Sequence, residues 1–580
     1  WRRSTQCRQP TVKSIINSCG RDTSRPYFKL QKSIFVMRKN IAIAAIALAV
    51  VPAAAQDTYE NARLLGSDLN GTARYVGMGG ALEALGADLS TIGTNPAGIG
   101  LFRHSSFSAT MGLVSQQDVR KFDDLNKTNL SFDQVGFVYS SRSGRNGFIN
   151  FGFNYHKSRN FDQILSAANN QMRGASMSKL SFGKSTKNSD TNGGYYWDAN
   201  RDGEIMGWRN SQSNERAWQF SQWDYLYFNT INYDFDQQSP LFVEAGPFNG
   251  GDAYNFDRAH RGWIADYDFN LSGNINNRVY LGLTVGLHDV HYQGYSEYSE
   301  GIVAADGHDR GVLTLADDRR ITGTGINVGA GIIVRPFEES PFRVGLSVAT
   351  PTWFDLKTTN STALLNLTDS EWGFSRGESN ESYEFKYYTP WRFALSLGHT
   401  VGTSLALGAT YEYTDNSAAD TRVNDGYDYY GNRDSYSDDV MNANTEYSLK
   451  STHTLKVGAE LKPDPAFAVR LGYNYVSPMY SDRGLRDTQL YSIGNMYAST
   501  ADYTNWEGTH RITAGVGYKY QNMSIDLAYQ YATVNGTFYP FQPNVTFIDP
   551  ANNAAETCVS APTTVSNKRH QLLLTATYTF

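Results

Sequence analysis

The chain has 580 residues, a formal net charge of −6, 40% hydrophobic residues and only 19% charged residues. Aromatic residues reach 13% and there are 52 Gly, which is typical of β-structure rather than of several soluble helical domains. A mean hydropathy of −0.46 excludes a polytopic helical membrane protein, which needs several apolar runs of about 20 residues. It does not exclude a membrane β-barrel, whose strands alternate apolar and polar side chains.

The first 55 residues have the features of an export signal. Residues 1–36 carry eight Lys/Arg against one acidic residue, and we interpret them as sequence upstream of the true start. Residues 37–55 contain Arg38 and Lys39, then an apolar stretch and Ala53-Ala54-Ala55, the order of a secretory signal peptide. Without residues 1–55 the chain keeps 41 Lys/Arg against 56 Asp/Glu, a net charge of −15.

The mature charge and the cysteine content limit the partners. Nucleic-acid binding needs a basic footprint, which a net charge of −15 does not offer. Of the three cysteines only Cys558 lies beyond the signal peptide. We therefore expect an exported protein that does not depend on disulfide bonds.

Residues 56–106 do not alternate like a strand. Two short apolar stretches, residues 62–65 and 80–85, are separated by glycines. The sequence Asn95-Pro96-Ala97-Gly98 has turn chemistry, because Pro fixes one dihedral angle and Gly frees the next. The glycine content and low charge favour a packed plug over a solvated tail.

From about residue 107 the sequence alternates strictly, as strands with one apolar face do. Six short turns alternate with seven longer loops, which is typical of an outer-membrane barrel, and an even strand number returns both termini to the periplasm. The sequence therefore predicts an all-β fold, a fourteen-stranded antiparallel transmembrane β-barrel with an N-terminal plug. The predicted segments are residues 107–116, 131–142, 147–158, 264–275, 279–294, 320–334, 342–357, 388–399, 404–415, 450–461, 467–477, 509–520, 524–534 and 569–580.

The two faces of the strands are assigned by chemistry. The apolar set is predicted to face lipid, since a charge there costs about 2–4 kcal/mol at the midplane. Tyr and Trp near segment ends are predicted to form interfacial girdles. The polar set is predicted to line the lumen and includes Asp266, Asp268, Asn270, Thr284 and Asn474.

The longest loop, residues 159–263, contains one candidate metal site. Asp198, Asn200 and Asp202 stand at positions 1, 3 and 5 of a calcium loop, with Gly at position 6 and Glu204 at position 7. Position 12 is Arg209 rather than Glu, so the match is partial, and an acidic turn without metal is the alternative. The sequence predicts no cofactor other than this structural Ca²⁺.

Other motifs do not indicate catalysis. His288 and His291 are three residues apart on a strand and are predicted to point to opposite faces. A lipase or protease would need a Ser/His or paired-carboxylate set, which residue spacing alone does not show, and we predict that the protein is not an enzyme.

The last strand alternates up to a C-terminal phenylalanine, Phe580. That ending is the pattern read by the barrel-assembly machinery of Gram-negative outer membranes. We therefore predict contact of Phe580 with that machinery, a barrel surrounded by outer-membrane lipid and lipopolysaccharide, and a monomer.

Several of these motifs resemble one known family. Gly71-Thr72-Ala73-Arg74, Gly77-Met78-Gly79-Gly80-Ala81 and Asn95-Pro96-Ala97-Gly98 resemble the N-terminal hatch of the FadL/TodX family of outer-membrane transporters for hydrophobic compounds. Residues 323–327 with Arg335-Pro336, residues 349–353 and Thr389-Pro390-Trp391-Arg392 are similar to its Bacteroidetes branch. The resemblance covers residues 56–580 apart from the large loops.

The resemblance implies a barrel plugged by its hatch, residues 56–106, with Asn95, Pro96, Ala97 and Gly98 on the substrate path. Hydrophobic molecules, long-chain fatty acids by default, would enter from outside, bind in a pocket and leave sideways into the membrane without energy coupling. In the family a kinked third strand makes the exit, and Gly147 and Gly152 would permit a kink here. The alternative is a surface receptor or adhesin for haem or a host ligand, using loop 159–263; a general porin is disfavoured by the plug.

Overall fold

The computed structural model describes residues 56–186, 195–199, 205–210, 217–227, 230, 250–303, 309–368, 375–427, 433–549 and 554–580. The predicted upstream segment (1–36) and the predicted signal peptide (37–55) lie outside these residues.

Strands make up most of the described chain. In chain order they are β1 (Ser106–Gln116), β2 (Thr128–Arg142), β3 (Phe148–Asn160), β4 (Gln163–Asn169), β5 (Tyr195–Ala199), β6 (Ile205–Asn210), β7 (Gly250–Ile275), β8 (Val279–Val303), β9 (Asp309–Val334), β10 (Arg343–Ala349), β11 (Trp353–Thr368), β12 (Ser375–Tyr388), β13 (Arg392–Val401), β14 (Leu405–Asp415), β15 (Asp420–Tyr427), β16 (Arg433–Ser437), β17 (Ser451–Asp464), β18 (Phe467–Val476), β19 (Tyr503–Trp506), β20 (Thr509–Tyr520), β21 (Met523–Tyr539), β22 (Val545–Asp549), β23 (Ala554–Cys558) and β24 (Thr563–Thr579).

Fourteen of these strands form a closed antiparallel barrel, as the sequence predicts. The ring runs β1, β2, β3, β7, β8, β9, β10, β13, β14, β17, β18, β20, β21 and β24. It closes because β24 pairs with β1 from Arg569 opposite Gln116 to Thr579 opposite Ser106. All fourteen predicted segments correspond to strands of this ring.

The two faces of the barrel match the predicted alternation. On β8 the outward side chains Leu281, Leu283, Val285 and Leu287 are exposed, and they form part of an apolar band around the barrel. The predicted lumen residues Asp266, Asp268, Asn270, Thr284 and Asn474 are all buried. A closed barrel with a polar interior and an apolar outer band is an outer-membrane protein of Gram-negative type.

Several strands extend well beyond the band on the side opposite the short turns. β7, β8 and β9 are 26, 25 and 26 residues long, whereas about 9–11 residues cross a bilayer. Much of the predicted loop 159–263 is therefore strand, since β4 pairs with the first part of β7. These extensions carry an apolar cluster that includes Trp223, Tyr227 and Phe538, and this cluster covers the extracellular end.

Two neighbouring barrel strands break at a proline. β10 is followed by β11 after Pro351, and β12 is followed by β13 after Pro390. The ladder between them keeps one register across both breaks, from Ala349 opposite Arg392 to Trp353 opposite Tyr388. Proline has no N–H to donate to the ladder at these breaks. Beside them the Thr352 amide donates to Thr389 Oγ1 at 2.8 Å, and this bond joins the two strands.

The third barrel strand is interrupted near its extracellular end. The β2–β3 ladder ends at Gln134 opposite His156, and the pairing of β3 with β7 shifts register between Lys157 and Arg159. Within the described residues, β2 from Thr128 to Asp133 pairs with β1 alone. The interruption lies at residues 158–162 rather than at Gly147 or Gly152.

Residues 56–105 lie inside the barrel as short helical turns. The helices are Thr58–Asn61 and Ala73–Gly77, with 3-10 turns at Ala62–Leu64, Leu89–Gly93 and Pro96–Leu101. Elsewhere the helices are Met177–Thr186, Gln222–Tyr227, Asp439–Ser448 and Ile493–Met496, with a 3-10 turn at Asn416–Ala418. In the part of the chain that the structure describes, no helix is long and apolar enough to cross a membrane.

Candidate functional site

The predicted hatch motif seats the plug against the barrel wall. Asn95 caps the 3-10 turn Pro96–Leu101, its Oδ1 accepting from the Ala97 amide at 3.2 Å. The Pro96 carbonyl accepts from Asn270 Nδ2 at 3.3 Å. Asn95, Pro96, Ala97 and Gly98 are buried and do not line the lumen cavity described below. The three residues before them, Ile92, Gly93 and Thr94, do.

A row of glycines lets the hatch backbone lie flat on the wall. Gly398, Gly408, Gly458 and Gly472 are direct cross-strand partners on four adjacent strands. A methyl group at Gly408 would overlap the carbonyl oxygen of Ala81, and one at Gly458 would overlap that of Met78. The wall therefore contacts residues 78–85 of the hatch through backbone atoms, which leaves little room for solute between them.

Buried ion pairs hold the hatch at two levels. Near the glycine row, Lys456 Nζ lies 2.8 Å from Glu83 Oε1, and Arg74 Nε lies 3.1 Å from Glu460 Oε2. Toward the extracellular end, Glu60 pairs with Arg319. Each pair joins the hatch to the barrel, and breaking a buried pair leaves an uncompensated charge.

A second acid–arginine pair holds the start of the hatch. Arg486 Nη2 lies 2.6 Å from Asp57 Oδ2 and 3.4 Å from Glu60 Oε1. Burial raises the pKa of Glu60, but the guanidinium groups of Arg319 and Arg486 outweigh burial and hold this pKa below its usual range.

The hatch also closes the interruption between β2 and β3 from inside. Asn70 Nδ2 donates to Asp133 Oδ1 on β2 at 2.9 Å and to the Lys157 carbonyl on β3 at 3.0 Å. The Asp68 amide donates to the Ser158 carbonyl at 2.7 Å, and Asp68 Oδ2 accepts from the Asn160 amide at 2.9 Å. We call residues 68–70 the latch. They bond to groups of β3 that have no partner on β2.

A lumen cavity of about 450 Å³ lies beside the latch. That volume is in the range of small-molecule pockets. Its lining includes apolar and mostly aromatic side chains, namely Tyr59, Leu64, Leu65, Phe161, Ile264, Phe354, Tyr480, Tyr503 and Trp506.

The same lining carries an arginine cluster, which we define as Arg159, Arg511 and Arg569. Their guanidinium nitrogens lie 3.6, 3.8 and 3.9 Å from the carboxylate of Asp68. Burial raises the pKa of Asp68, but Arg159, Arg569 and Arg511 together outweigh it and hold this pKa below its usual range. At these distances the three guanidinium groups share the single carboxylate of Asp68.

A second depression, of about 670 Å³, lies on the lipid-facing surface just below the proline breaks. Its lining includes Leu346, Phe393, Leu395 and Tyr411, which are exposed outward. Because its lining faces outward within the apolar band, we expect lipid acyl chains to fill it in the membrane. We therefore place the candidate substrate site in the lumen, where apolar and charged side chains meet out of contact with lipid.

The predicted calcium loop is not tested. Asn200, Asp202 and Glu204 lie outside the described residues, and Asp198 lies in β5 with its backbone opposite Gly207. A Ca²⁺ site there stays a prediction. Among the described residues, no group of three or more His, Cys, Asp or Glu side chains is placed to hold a metal ion.

The histidine prediction is confirmed. His288 is buried, with Nδ1 2.7 Å from Asp266 Oδ1, whereas the exposed His291 has Nε2 2.9 Å from Asp289 Oδ2. The two rings thus lie on opposite faces of β8.

Sequence reasoning missed the latch and the arginine cluster. The stretch Gly66-Ser67-Asp68-Leu69-Asn70-Gly71 has the composition of a turn, which was the only available signal. The three arginines come from β3, β20 and β24, far apart in the chain, so only the closed ring brings them together.

No protein-family model and no curated protein matches the chain. Among solved structures it is similar to the toluene transporter TbuX of Ralstonia pickettii, at 13% identity over 88% of this chain and 99% of that one, with a TM-score of 0.42. It is also similar to a FadL homologue of Pseudomonas aeruginosa, at 13% identity over 88% and 99%, with a TM-score of 0.45. The toluene transporter TodX of Pseudomonas putida aligns at 9% identity over 89% and 99%, with a TM-score of 0.42. These three solved structures are of the FadL/TodX kind, the family that the hatch motifs of this chain resemble.

Proposed function

We propose that the protein is an outer-membrane channel for the passive uptake of hydrophobic small molecules, with long-chain fatty acids as its substrate class. The observation that carries this proposal is the lumen cavity, in which aromatic and aliphatic side chains adjoin the arginine cluster beside the latch. An amphiphile with a carboxylate head and an apolar tail matches both kinds of side chain in this lining, the arginines and the apolar residues.

The chemistry of the cavity favours an anionic head group over a purely apolar molecule. Arginine binds carboxylates through planar, charge-assisted hydrogen bonds. Asp68 accepts a bond from Asn160 and is more than 3.5 Å from each guanidinium group. A substrate carboxylate would therefore find guanidinium N–H groups that Asp68 does not hold at hydrogen-bond distance.

The proposed route leaves the cavity sideways between β2 and β3. At that point the strands share no ladder, and residues 68–70 of the hatch take its place. Withdrawal of the latch would open a path from the cavity to the lipid beside Leu130, whose side chain is 82% exposed on the outer face. An apolar substrate would then pass into the membrane without crossing water.

The test is uptake by a Gram-negative host that lacks its own fatty-acid transporter and expresses this chain. Labelled oleate is compared with oleyl alcohol, which has the same tail without the charge. In the Arg511→Gln/Arg569→Gln variant we expect oleate uptake to fall about tenfold, since a hydrogen bond to a charged group is worth roughly 1.5–3 kcal/mol. Alcohol uptake should change much less.

Three outcomes would contradict parts of this proposal. Uptake of both compounds at the level of the empty host would exclude a channel for long-chain amphiphiles. An equal fall for both would show that the arginines act on the structure and not on the head group. Faster uptake of toluene than of oleate would replace the fatty-acid class by apolar aromatic compounds.

A further inference from the structure

A threefold side-chain repeat lies on the outer surface of six consecutive barrel strands, β14, β17, β18, β20, β21 and β24. In each copy a Tyr-x-Tyr sequence on one strand meets a histidine on the next strand of the ring. The second tyrosine is the direct cross-strand partner of the histidine in all three copies. The copies are Tyr411 and Tyr413 with His453, Tyr473 and Tyr475 with His510, and Tyr529 and Tyr531 with His570.

The contacts within the three copies are nearly identical. The hydroxyl of the first tyrosine lies 2.6, 2.8 and 2.7 Å from the histidine Nδ1. The ring of the second tyrosine lies 5.4, 4.9 and 5.1 Å from the imidazole, measured between centroids. We call these nine residues the Tyr–His girdle. The same geometry on three strand pairs indicates a shared role for the imidazoles.

The girdle marks the extracellular limit of the lipid-facing band. Toward the periplasm the outward residue that follows each histidine is Leu455, Ile512 or Leu572, exposed by 44%, 60% and 42%. The band ends at the other rim with Tyr518, Tyr520 and Tyr578, also exposed. From His570 to Tyr578 is eight residues of β24, about 20 Å of height for a strand tilted by about 45°. The imidazoles therefore lie at the level of the outer-leaflet head groups.

The tyrosine contact fixes which imidazole nitrogen faces outward. A neutral imidazole has one donor and one acceptor nitrogen, and we take the tautomer in which Nδ1 accepts from the tyrosine hydroxyl. The proton of the neutral ring is then on Nε2, and the imidazolium also carries one there. In the third copy His570 Nε2 lies 3.1 Å from Gln117 Oε1, an acceptor. His453 and His510 thus direct an N–H donor toward the head-group layer, whereas at His570 a lipid phosphate would have to displace Gln117.

The rest of the barrel surface lacks this arrangement among the described residues. On the opposite side the exposed His291 has its Nε2 against Asp289, so a carboxylate of the protein already accepts there. The charged neighbours of the girdle are few. Lys568 lies 3.1 Å from Asp118 beside His570, and Glu507 is exposed near His510.

We propose that the Tyr–His girdle binds the phosphate groups of outer-leaflet lipids. The Nε2–H groups donate to phosphate oxygens, and the tyrosine rings pack against the first methylenes of the acyl chains, as amphipathic rings do at membrane interfaces. The histidines stand two strands apart, about 10 Å, so each meets a separate phosphate. The occupant is a phosphorylated membrane lipid, because the girdle continues the lipid-facing band.

The test uses the full-length barrel purified in detergent and native mass spectrometry with bis-phosphorylated lipid A or the same lipid without its phosphates. The wild type should retain the phosphorylated lipid preferentially. The variant His453→Phe/His510→Phe/His570→Phe keeps three aromatic rings and loses the N–H donors. We expect its preference for the phosphorylated lipid to fall about tenfold, in line with the loss of one charge-assisted hydrogen bond per lipid.

Two controls separate the proposal from an ordinary aromatic belt. The variant Tyr518→Phe/Tyr520→Phe/Tyr578→Phe changes the periplasmic rim by the same number of residues and should keep the preference. Replacement of the three histidines by Gln, which retains an N–H donor, should restore part of it. Migration of unboiled samples as folded barrels checks each variant.

Equal retention of both lipids by the wild type, or an unchanged preference in the His→Phe variant, would overturn the proposal. Displacement of the bound lipid by millimolar inorganic phosphate, as readily as by added lipid, would also overturn the proposal. The occupant would then be the free anion.

Discussion

Asn70 of the hatch donates a hydrogen bond of 2.9 Å to Asp133 on β2, and the same amide group donates to the Lys157 carbonyl on β3 at 3.0 Å. One side chain thus spans two strands that share no ladder at this height. On the proposed exit route, the latch must therefore withdraw before β2 and β3 can part.

Replacement of Asn70 by Ala should weaken the contact of the latch with β2 and β3. Both bonds across the opening are lost, together with the bond of 3.2 Å that Gln571 Nε2 donates to Asn70 Oδ1, so we expect faster entry of a fluorescent long-chain fatty acid into cells, by a few-fold. The matched control is Asn150→Ala. Asn150 Nδ2 also holds the hatch by two bonds, to the Ile99 and Phe102 carbonyls at 2.7 and 3.1 Å, but away from the opening. Equal effects of the two variants would contradict a role of Asn70 in the exit.

The glycine row predicts a leak when a side chain is added to it. In Gly458→Ala the new methyl group overlaps the Met78 carbonyl, so the hatch must move away from the wall. We expect a loss of about 1–3 kcal/mol in stability and faster swelling of liposomes in small sugars. Gly273→Ala is the control, because the nearest atom to its Cβ is 3.9 Å away. An unchanged swelling rate in Gly458→Ala would show that the row does not seal the lumen.

The pairing of Glu60 with Arg319 and Arg486 predicts a dependence on pH. The pKa of Glu60 is lower in the folded protein than its ordinary value of 4.5, so its contribution to stability is complete above that pH and is lost as the pH falls. We expect the thermal midpoint of the wild type to drop on acidification below about pH 4.5. Glu60→Gln should be less stable at pH 7 by about 3–5 kcal/mol, with a smaller difference at low pH.

The control for this titration is Glu338→Gln, since Glu338 is an exposed residue in a turn. Its thermal midpoint should follow the wild type at every pH. A constant gap between wild type and Glu60→Gln from pH 7 to pH 3.5 would contradict the role of the Glu60 carboxylate.

The calcium prediction for Asp198, Asn200, Asp202 and Glu204 has a direct test. Loops of this composition in extracellular proteins bind Ca²⁺ at about 0.1–1 mM. We expect millimolar Ca²⁺ to slow proteolysis within residues 195–210, and Asp202→Asn to remove that protection. Equal cleavage with and without Ca²⁺ would indicate an acidic turn.

The sequence determines the membrane part of the fold almost completely, because lipid on one face and lumen on the other enforce alternation. Ile512, Ala514 and Val516 are recognisable as strand residues for that reason. The extensions beyond the band are harder to identify. In β8 beyond Leu287 both faces are partly covered, so polarity no longer separates them, and the strand was predicted to end near residue 294 instead of at Val303.

The site was less predictable than the wall. In the sequence Gly147 and Gly152 only permit a kink, and in the structure Gly152 gives room to Ile92 and Ile99 of the hatch. The real interruption depends on a register shift near Arg159 and on partners supplied by Asp68. Neither can be inferred from local sequence, because both are set by how a distant segment fills the lumen.

The closure of β1 on β24 restricts how the molecule can be assembled. Beyond their ladder, the Phe580 amide donates to the Ser105 carbonyl at 2.8 Å, so this seam is bonded up to the point where the chain leaves the lumen and enters the wall. Apart from the short interruption between β2 and β3, the ring is bonded along its circumference and leaves no gap wide enough for a folded plug. The hatch must therefore already lie within the curled sheet when the seam joins, and the segment that precedes every strand is wrapped by all of them.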